Sequence, residues 1–310
     1  MISHPRHPSV AFFFLPTLAL ALVFQGCSQP DLPLPEAEAH TAEIASWQAQ
    51  RVEGLETPLG WLSVIGLTWL EPGENPFGSD PANFVRFPEA LSPPRAGSFF
   101  LEEEVVRMEV EPEVEVTLDG EPVTSLVLHS AAGGRPATVW MGSLAWRVIQ
   151  REDLIGVRVR DTLNAARFEF EGIETFPVSL DWVVPAHFHR HLVPRTIHVP
   201  NVLGMITETP SPGSVEFEVG GESYRLAVTG DPDGDSFFIV FGDRTNGSET
   251  YPAGRFLYVN APDETGRLLI DFNRAHNPPC AFTPHATCPL PPDQNHLPVR
   301  IEAGEKNAHH

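Results

Sequence analysis

Hydrophobic positions along this chain change period once. Between Thr41 and Leu55 the residues Ile44, Trp47, Val52 and Leu55 fall on one face of an α-helix, with Thr41 placed as N-cap and Pro58-Leu59-Gly60 as the stop. After Gly60 the period becomes two. Val105–Val110 and Val114–Leu118 alternate apolar and polar, and Asp119-Gly120 is a turn dipeptide leading into the segment Pro122 to Leu128. Leu144 to Gln150 and Gly156 to Asp161 continue the pattern across Arg151-Glu152-Asp153. Six further strands are predicted at Thr196–Val202, Gly213–Val219, Tyr224–Val228, Ser236–Phe241, Arg255–Val259 and Arg267–Phe272. Turn signals about every eight to twelve residues and no second helical stretch predict an all-β, mainly antiparallel fold with one short N-terminal helix.

The expected organisation is a helix over 41–58, an N-terminal β-sandwich over 59–180, a connecting segment over 181–195, and a C-terminal β block over 196–306. The last part of that block, Asn277 to Pro298, is too rich in proline for helix or central strand. Phe282, Leu290 and Leu297 give it apolar anchors, so it should pack as an ordered strap.

The first residues have a different character. Arg6 precedes an apolar run from Val10 to Phe24 that Pro16 and Thr17 interrupt, and Phe24-Gln25-Gly26-Cys27 follows. A transmembrane helix needs about 20 unbroken apolar residues, so this stretch reads as a signal peptide over 1–26. A cysteine directly after the small residue points to lipoprotein processing with acylation of Cys27. Residues 27–40 then form an acidic, proline-rich tether. The expected address is the cell envelope, with the lipid anchor in the outer membrane and the body facing the periplasm. The bilayer is a partner through Cys27.

Charge narrows the remaining partners. Twenty Lys plus Arg against 41 Asp plus Glu give a net charge of −21, which repels phosphate backbones and excludes nucleic acid as an expected partner. Lys306 is the single lysine and lies near the end of the chain, so lysine nucleophiles and Schiff-base chemistry are not expected. There is no Gly-x-Gly-x-x-Gly, no phosphate loop and no nucleophile elbow. No cofactor is expected.

Three polar constellations remain. In the C-terminal block Tyr251, Arg255, Asp271, Asn273 and Arg274 are the candidate ligand-binding residues. Two guanidinium forks suit a carboxylate or phosphate, and Tyr251 and Asn273 can orient it. The expectation is one pocket, roofed by the proline-rich strap, for a small anionic or polar ligand. The alternative within the same residues is an ion-pair network with Asp243 and Asp271. A second constellation, His187-Phe188-His189-Arg190-His191, puts three imidazoles on one strand face, where His187, His189 and His191 could hold zinc. The third is His276, Cys280, His285 and Cys288. With Cys27 acylated, Cys280 and Cys288 are an even pair in an oxidising compartment and read as a disulfide, with a tetrahedral zinc site on all four residues as the alternative. The functional alternative to a binding module is a hydrolase-like enzyme, metal-dependent or not, using Asp243, Asp271 or one of the His187–His191 imidazoles; no catalytic residue is assigned. The run Asp231-Pro232-Asp233-Gly234-Asp235 lacks calcium-loop spacing and reads as a hairpin tip.

Two resemblances bear on these readings. The run from Asp271 through Asn273-Arg274-Ala275-His276-Asn277-Pro278-Pro279-Cys280 to Pro284, together with Gly60-Trp61-Leu62 and Thr250-Tyr251-Pro252-Ala253-Gly254-Arg255, resembles the bacterial and archaeal domain-of-unknown-function 1684 family. The resemblance extends from about Trp47 to about Lys306 and implies no agreed activity. That family more often carries aromatic residues where His276 and His285 stand, which implies ring packing at those positions. The segment from Leu70 through Gly78 and Ser79 to Arg95 is similar to the opening of a forkhead-associated β-sandwich. The phosphothreonine-binding side chains of that family are replaced here by Ser79 and Arg95, and its Asn-Gly turn by Asp119-Gly120, so the resemblance implies fold rather than phosphopeptide binding.

Overall fold

In the computed structural model the described residues are Met1, 32–129 and 137–308. The expected leader, Cys27 and the start of the tether lie outside them. The chain divides into Met1–Asp31 and Leu32–His310, and the helix and strands of the described residues belong to the second unit.

The helix spans Ala37–Glu56, so it begins before the expected tether has ended. Glu36, not Thr41, caps it: the Glu36 carboxylate accepts from the Ala39 amide at 2.8 Å, while the Thr41 hydroxyl donates back to the Ala37 carbonyl. Its buried residues are His40, Ile44 and Leu55. The stripe is therefore rotated relative to the sequence expectation, with a histidine on it and Val52 only half-buried. Arg51 on the same helix donates to Glu305 at 2.6 Å and to the Asn277 carbonyl at 2.7 Å, fastening the helix to the end of the chain.

The sandwich is built from two sheets. One has six strands in the order Val64–Trp69, Leu154–Asp161, Leu144–Arg151, Val139–Met141, Thr117–Leu118, Glu121–Pro122. The other runs Val85–Arg86, Gly73–Gly78, Gly97–Glu102, Val105–Val110, Ser125–His129. The facing sides share one core, in which Phe77, Phe99, Phe87 and Trp146 pack ring on ring at 4.5 to 5.8 Å between centroids. Asp119 and Gly120 both take positive φ (51° and 87°), the geometry that a two-residue hairpin demands of its central pair.

The C-terminal block carries a four-stranded sheet, in the order Glu222–Val228, Ile206–Val219, Val183–Pro200, Arg267–Asp271, and a two-stranded ribbon of Ser236–Phe241 with Arg255–Asn260. Its core holds Phe217, Phe237, Phe241, Leu257 and Phe272. The expected connecting segment is mostly strand: Val183–Pro200 is one 18-residue element pairing on both sides. Pro194 does not break it because the register slips between Arg190 and Arg195, leaving Leu192 and Val193 outside the ladder and exposed. The run Asp231 to Asp235 is a hairpin tip, closed by Asp231 accepting from the Asp233 and Gly234 amides at 3.0 Å each. The strap packs through short 3₁₀ turns, with Phe282 and Leu297 buried and Leu290 half-buried.

Candidate functional site

The helix and the chain just before it close over one edge of the C-terminal block and leave a cavity of about 610 Å³. Asp271 lines it. The residue ends the strand Arg267–Asp271, and its carboxylate turns back to cap the 3₁₀ turn Phe272–Arg274 through the Asn273 amide at 3.1 Å. The same oxygen accepts from the Asn273 side chain at 2.8 Å. Its other oxygen faces His40 Nε2 at 3.3 Å and Arg274 Nε at 3.4 Å. The buried His40 Nε2 lies beside that oxygen without a hydrogen bond.

Arg274 also pairs with Glu43 and lies over the Trp47 ring, 5.8 Å from its centroid. His276 forms part of the wall. Its ring meets Trp47 edge-on at 5.9 Å, lies parallel to Tyr258 at 6.1 Å, and places Nδ1 3.0 Å from the Arg274 carbonyl. Burial, then the Arg51 charge, pushes the His276 imidazole down to about 4, so it is neutral at neutral pH. The cavity thus combines a held carboxylate, an under-bonded imidazole and an aromatic wall.

Of the sequence candidates, Asp271 and Arg274 line this cavity and Asn273 backs it. Asn273 is 1% exposed and its amide is spent on Asp271 and on both backbone groups of Ser179. Tyr251 and Arg255 do not join them. The Tyr251 hydroxyl donates to the Cys280 carbonyl at 3.1 Å, and its ring packs beside Leu55, Leu62 and Phe282. Arg255 is wholly buried: it pairs with Asp243 at 2.6 Å and donates to the carbonyls of Ile301 and Ala303. The strap does not roof the cavity; Pro33, Pro35 and the helix do. The single pocket expected from sequence is corrected accordingly. Strand Arg255–Asn260 begins with its arginine turned into the core, where the Asp243 carboxylate meets it.

His40, Glu43 and Trp47 complete the site and were not among the sequence candidates. Their spacing of three and four residues puts them on one helix stripe, a signal that was readable but hidden by assigning residues 27–40 to a tether.

Among the described residues, no three His, Cys, Asp or Glu side chains group as a metal site. His187 and His189 meet edge-on at 4.9 Å on the outward face of their strand, and His189 contacts Glu216 at 3.3 Å. His276 is engaged in the cavity wall and His285 is half-buried on the strap. Cys280 and Cys288 are free thiols that cross-brace one another, each backbone amide donating to the other's sulfur at 3.1 and 3.4 Å. The hydrogen bond between the thiols draws Cys280 below the ordinary thiol range and, with burial, holds Cys288 above it. In the sandwich, Arg95 is occupied by Glu74 at 2.7 Å and Glu111 at 3.0 Å.

Residues 168–306 match the family described as a protein of unknown function, DUF1684. The match starts later than the sequence resemblance did, so Trp47 and Gly60-Trp61-Leu62 fall outside it. Among solved structures, the chain is similar to an uncharacterized protein of Haloarcula marismortui determined by solution NMR, at 26% identity over 46% of this chain and 79% of that one, with a TM-score of 0.38. It is also similar to an FHA domain from work on phosphothreonine-dependent FHA interactions, at 16% identity over 30% of this chain and 92% of that one, with a TM-score of 0.21. The FhaA FHA domain gives the same identity and score over 97% of its length. No curated protein matches the chain.

Proposed function

We propose, with the DUF1684 match as premise, that this chain is an envelope lipoprotein whose C-terminal block binds a small polar ligand in the cavity around Asp271. The observation that carries the reading is the cavity itself. Its volume of about 610 Å³ falls within the roughly 300–1,000 Å³ of small-molecule sites, and few but convergent polar groups line it. Arg274 is already spent on Glu43 and Asp271. The free capacity therefore lies in the carboxylates, in His40 and in the Trp47 and Tyr258 rings. That chemistry suits a hydroxyl-bearing or cationic molecule with a face to stack better than it suits an anion.

A thermal-shift and NMR screen of small polyols, sugars and amines against the full-length protein tests this. Binders are expected, and Asp271→Ala should weaken them by ten- to a hundredfold, the size of one charge-assisted hydrogen bond of about 1.5–3 kcal/mol. Binders that Asp271→Ala and Trp47→Ala leave unchanged would place the ligand elsewhere.

One observation favours a second, hydrolase-like reading: Asp271 brings a carboxylate to 3.3 Å from the His40 imidazole, a pair of groups that could share general acid–base work. Asp243, buried against Arg255, is removed from that role. Turnover of an ester or glycoside panel that disappears in His40→Ala would establish the enzyme over the binder.

The address belongs to the same proposal. Fatty-acid labelling should depend on Cys27, and membrane-bound protein that is equally unlabelled before and after Cys27→Ala would refute acylation. Cys280 and Cys288 are proposed to close as a disulfide on export, supported by their mutual bracing. Non-reducing mass mapping should find them in one cross-linked peptide. Cys288→Ser should then cost about 2–3 kcal/mol, the loop-closure value for so short a ring.

A further inference from the structure

The outer face of the six-stranded sheet carries four arginines. Arg147 on strand Leu144–Arg151 stands directly across from Arg158 on strand Leu154–Asp161, and Arg160 follows Arg158 by two residues. Cross-strand partners and alternate residues share a face, so Arg147, Arg158, Arg160 and Arg151 all point the same way. Val157 and Val159 take the other side, into the sandwich core.

This face is not an ordinary solvated surface. Arg158 is 5% exposed and Arg160 7%. Trp61 lies over the Arg158 guanidinium at 5.0 Å, and the strap reaches the cluster where Arg151 Nε donates to Thr287 at 2.9 Å. Yet Arg158 Nε and Nη2, Arg160 Nε and Arg147 Nε are buried without a hydrogen-bond partner. The neighbouring charges that bear on Arg158 at neutral pH are Arg151, Arg160 and Arg147, all repulsive; on Arg160 the neighbour is Arg147. Burial and this repulsion push both guanidinium groups down to about 10, so they remain cationic at neutral pH. A desolvated cation without a counter-charge is among the most costly arrangements a fold can hold. In a chain with twice as many acidic as basic residues, no carboxylate among the described residues pairs with Arg147, Arg158 or Arg160 to relieve it.

We propose that this face is an oxyanion site, receiving a phosphate-type group between Arg147, Arg158 and Arg160 with Arg151 at its rim. Planar forks on adjacent strands, with neighbours about 5 Å apart across the strands and roughly 7 Å apart along one strand, match the oxygens of a phosphate or diphosphate. Half-buried Arg147 and exposed Arg151 leave an approach open. The site is separate from the Asp271 cavity, and neither depends on the other.

The test is calorimetric titration of the full-length protein with inorganic phosphate, with pyrophosphate, and with soluble dihexanoylphosphatidylglycerol, all at constant ionic strength. Saturable binding of the inorganic anions assigns a free phosphate source; binding of the phospholipid alone assigns a headgroup; either supports the site. Arg147→Met and Arg158→Met should each weaken binding at least tenfold. Arg158→Met should also unfold at a higher temperature than wild type in phosphate-free buffer, because it removes an unpaired buried charge. If Arg158→Met does not fold, Arg147→Met and the exposed Arg151→Met carry the same comparison. The proposal is overturned if none of the three ligands binds, if chloride gives the same response, or if Arg147→Met binds as wild type does.

Discussion

Asp243→Ala is expected to destabilise the fold by about 3–5 kcal/mol, the range for removing one partner of a buried ion pair. Both members of the Asp243–Arg255 pair are wholly buried, 2.6 Å apart. Arg255 Nε has no partner of its own, so the guanidinium would keep its two tail carbonyls, Ile301 and Ala303, but lose the carboxylate that touches it, with only the more distant Glu305 charge still acting on it. The Asp243 carboxylate also accepts from the Thr245 amide at 2.7 Å and hydroxyl at 2.6 Å, so its loss loosens that turn as well. The double variant Asp243→Ala/Arg255→Met should cost far less than the two single changes added together, because it leaves no orphaned charge. Urea unfolding of the four proteins measures this. A single-variant cost under about 1 kcal/mol would mean that the pair is open to water.

The second large effect is acid destabilisation through His276. Its folded imidazole sits at about 4, below the ordinary 6.5, so the unfolded chain takes up the proton first. The stabilisation is complete above pH 6.5 and is lost as pH falls from there towards 4. At 1.36 kcal/mol per unit the loss approaches about 3 kcal/mol. His276→Phe keeps a ring against Trp47, Tyr258 and Phe256 but cannot titrate, so its stability should be flatter across that window. Glu305 has the opposite sign: burial raises its folded carboxyl above the ordinary range, so its contribution falls as pH rises. Glu305 is common to both proteins and cancels when wild type is compared with His276→Phe. Parallel pH profiles for the two would show that His276 is not the titrating group.

Strands that alternate, such as Val105–Val110, were readable in the sequence because one side packs on a core and the other faces outward. Strand Val183–Pro200 was not, because its prolines imitate a boundary and only pairing on both sides reveals that a bulge absorbs Pro194. The candidate site divided in the same way. Asp271, Asn273 and Arg274 lie within four residues and stay together, since one 3₁₀ turn carries Asn273 and Arg274 and Asp271 caps it. Arg255 has the same chemistry as Arg274, but its partner is set by which way the first residue of a strand faces, and that is a tertiary fact. His40 belonged to a segment whose proline and acid content reads as linker until Glu36 is seen to cap it.

The helix Ala37–Glu56 is made early and finished late. Two of its polar fastenings, Arg51 to Glu305 and Glu43 to Arg274, span 254 and 231 residues of chain. During synthesis the helix therefore emerges long before these partners do, and in proteins most helical stability comes from tertiary packing rather than from the helix alone. Its docking waits for partners more than 200 residues downstream to be joined, so closure of the cavity over Asp271 is expected to follow formation of the C-terminal block.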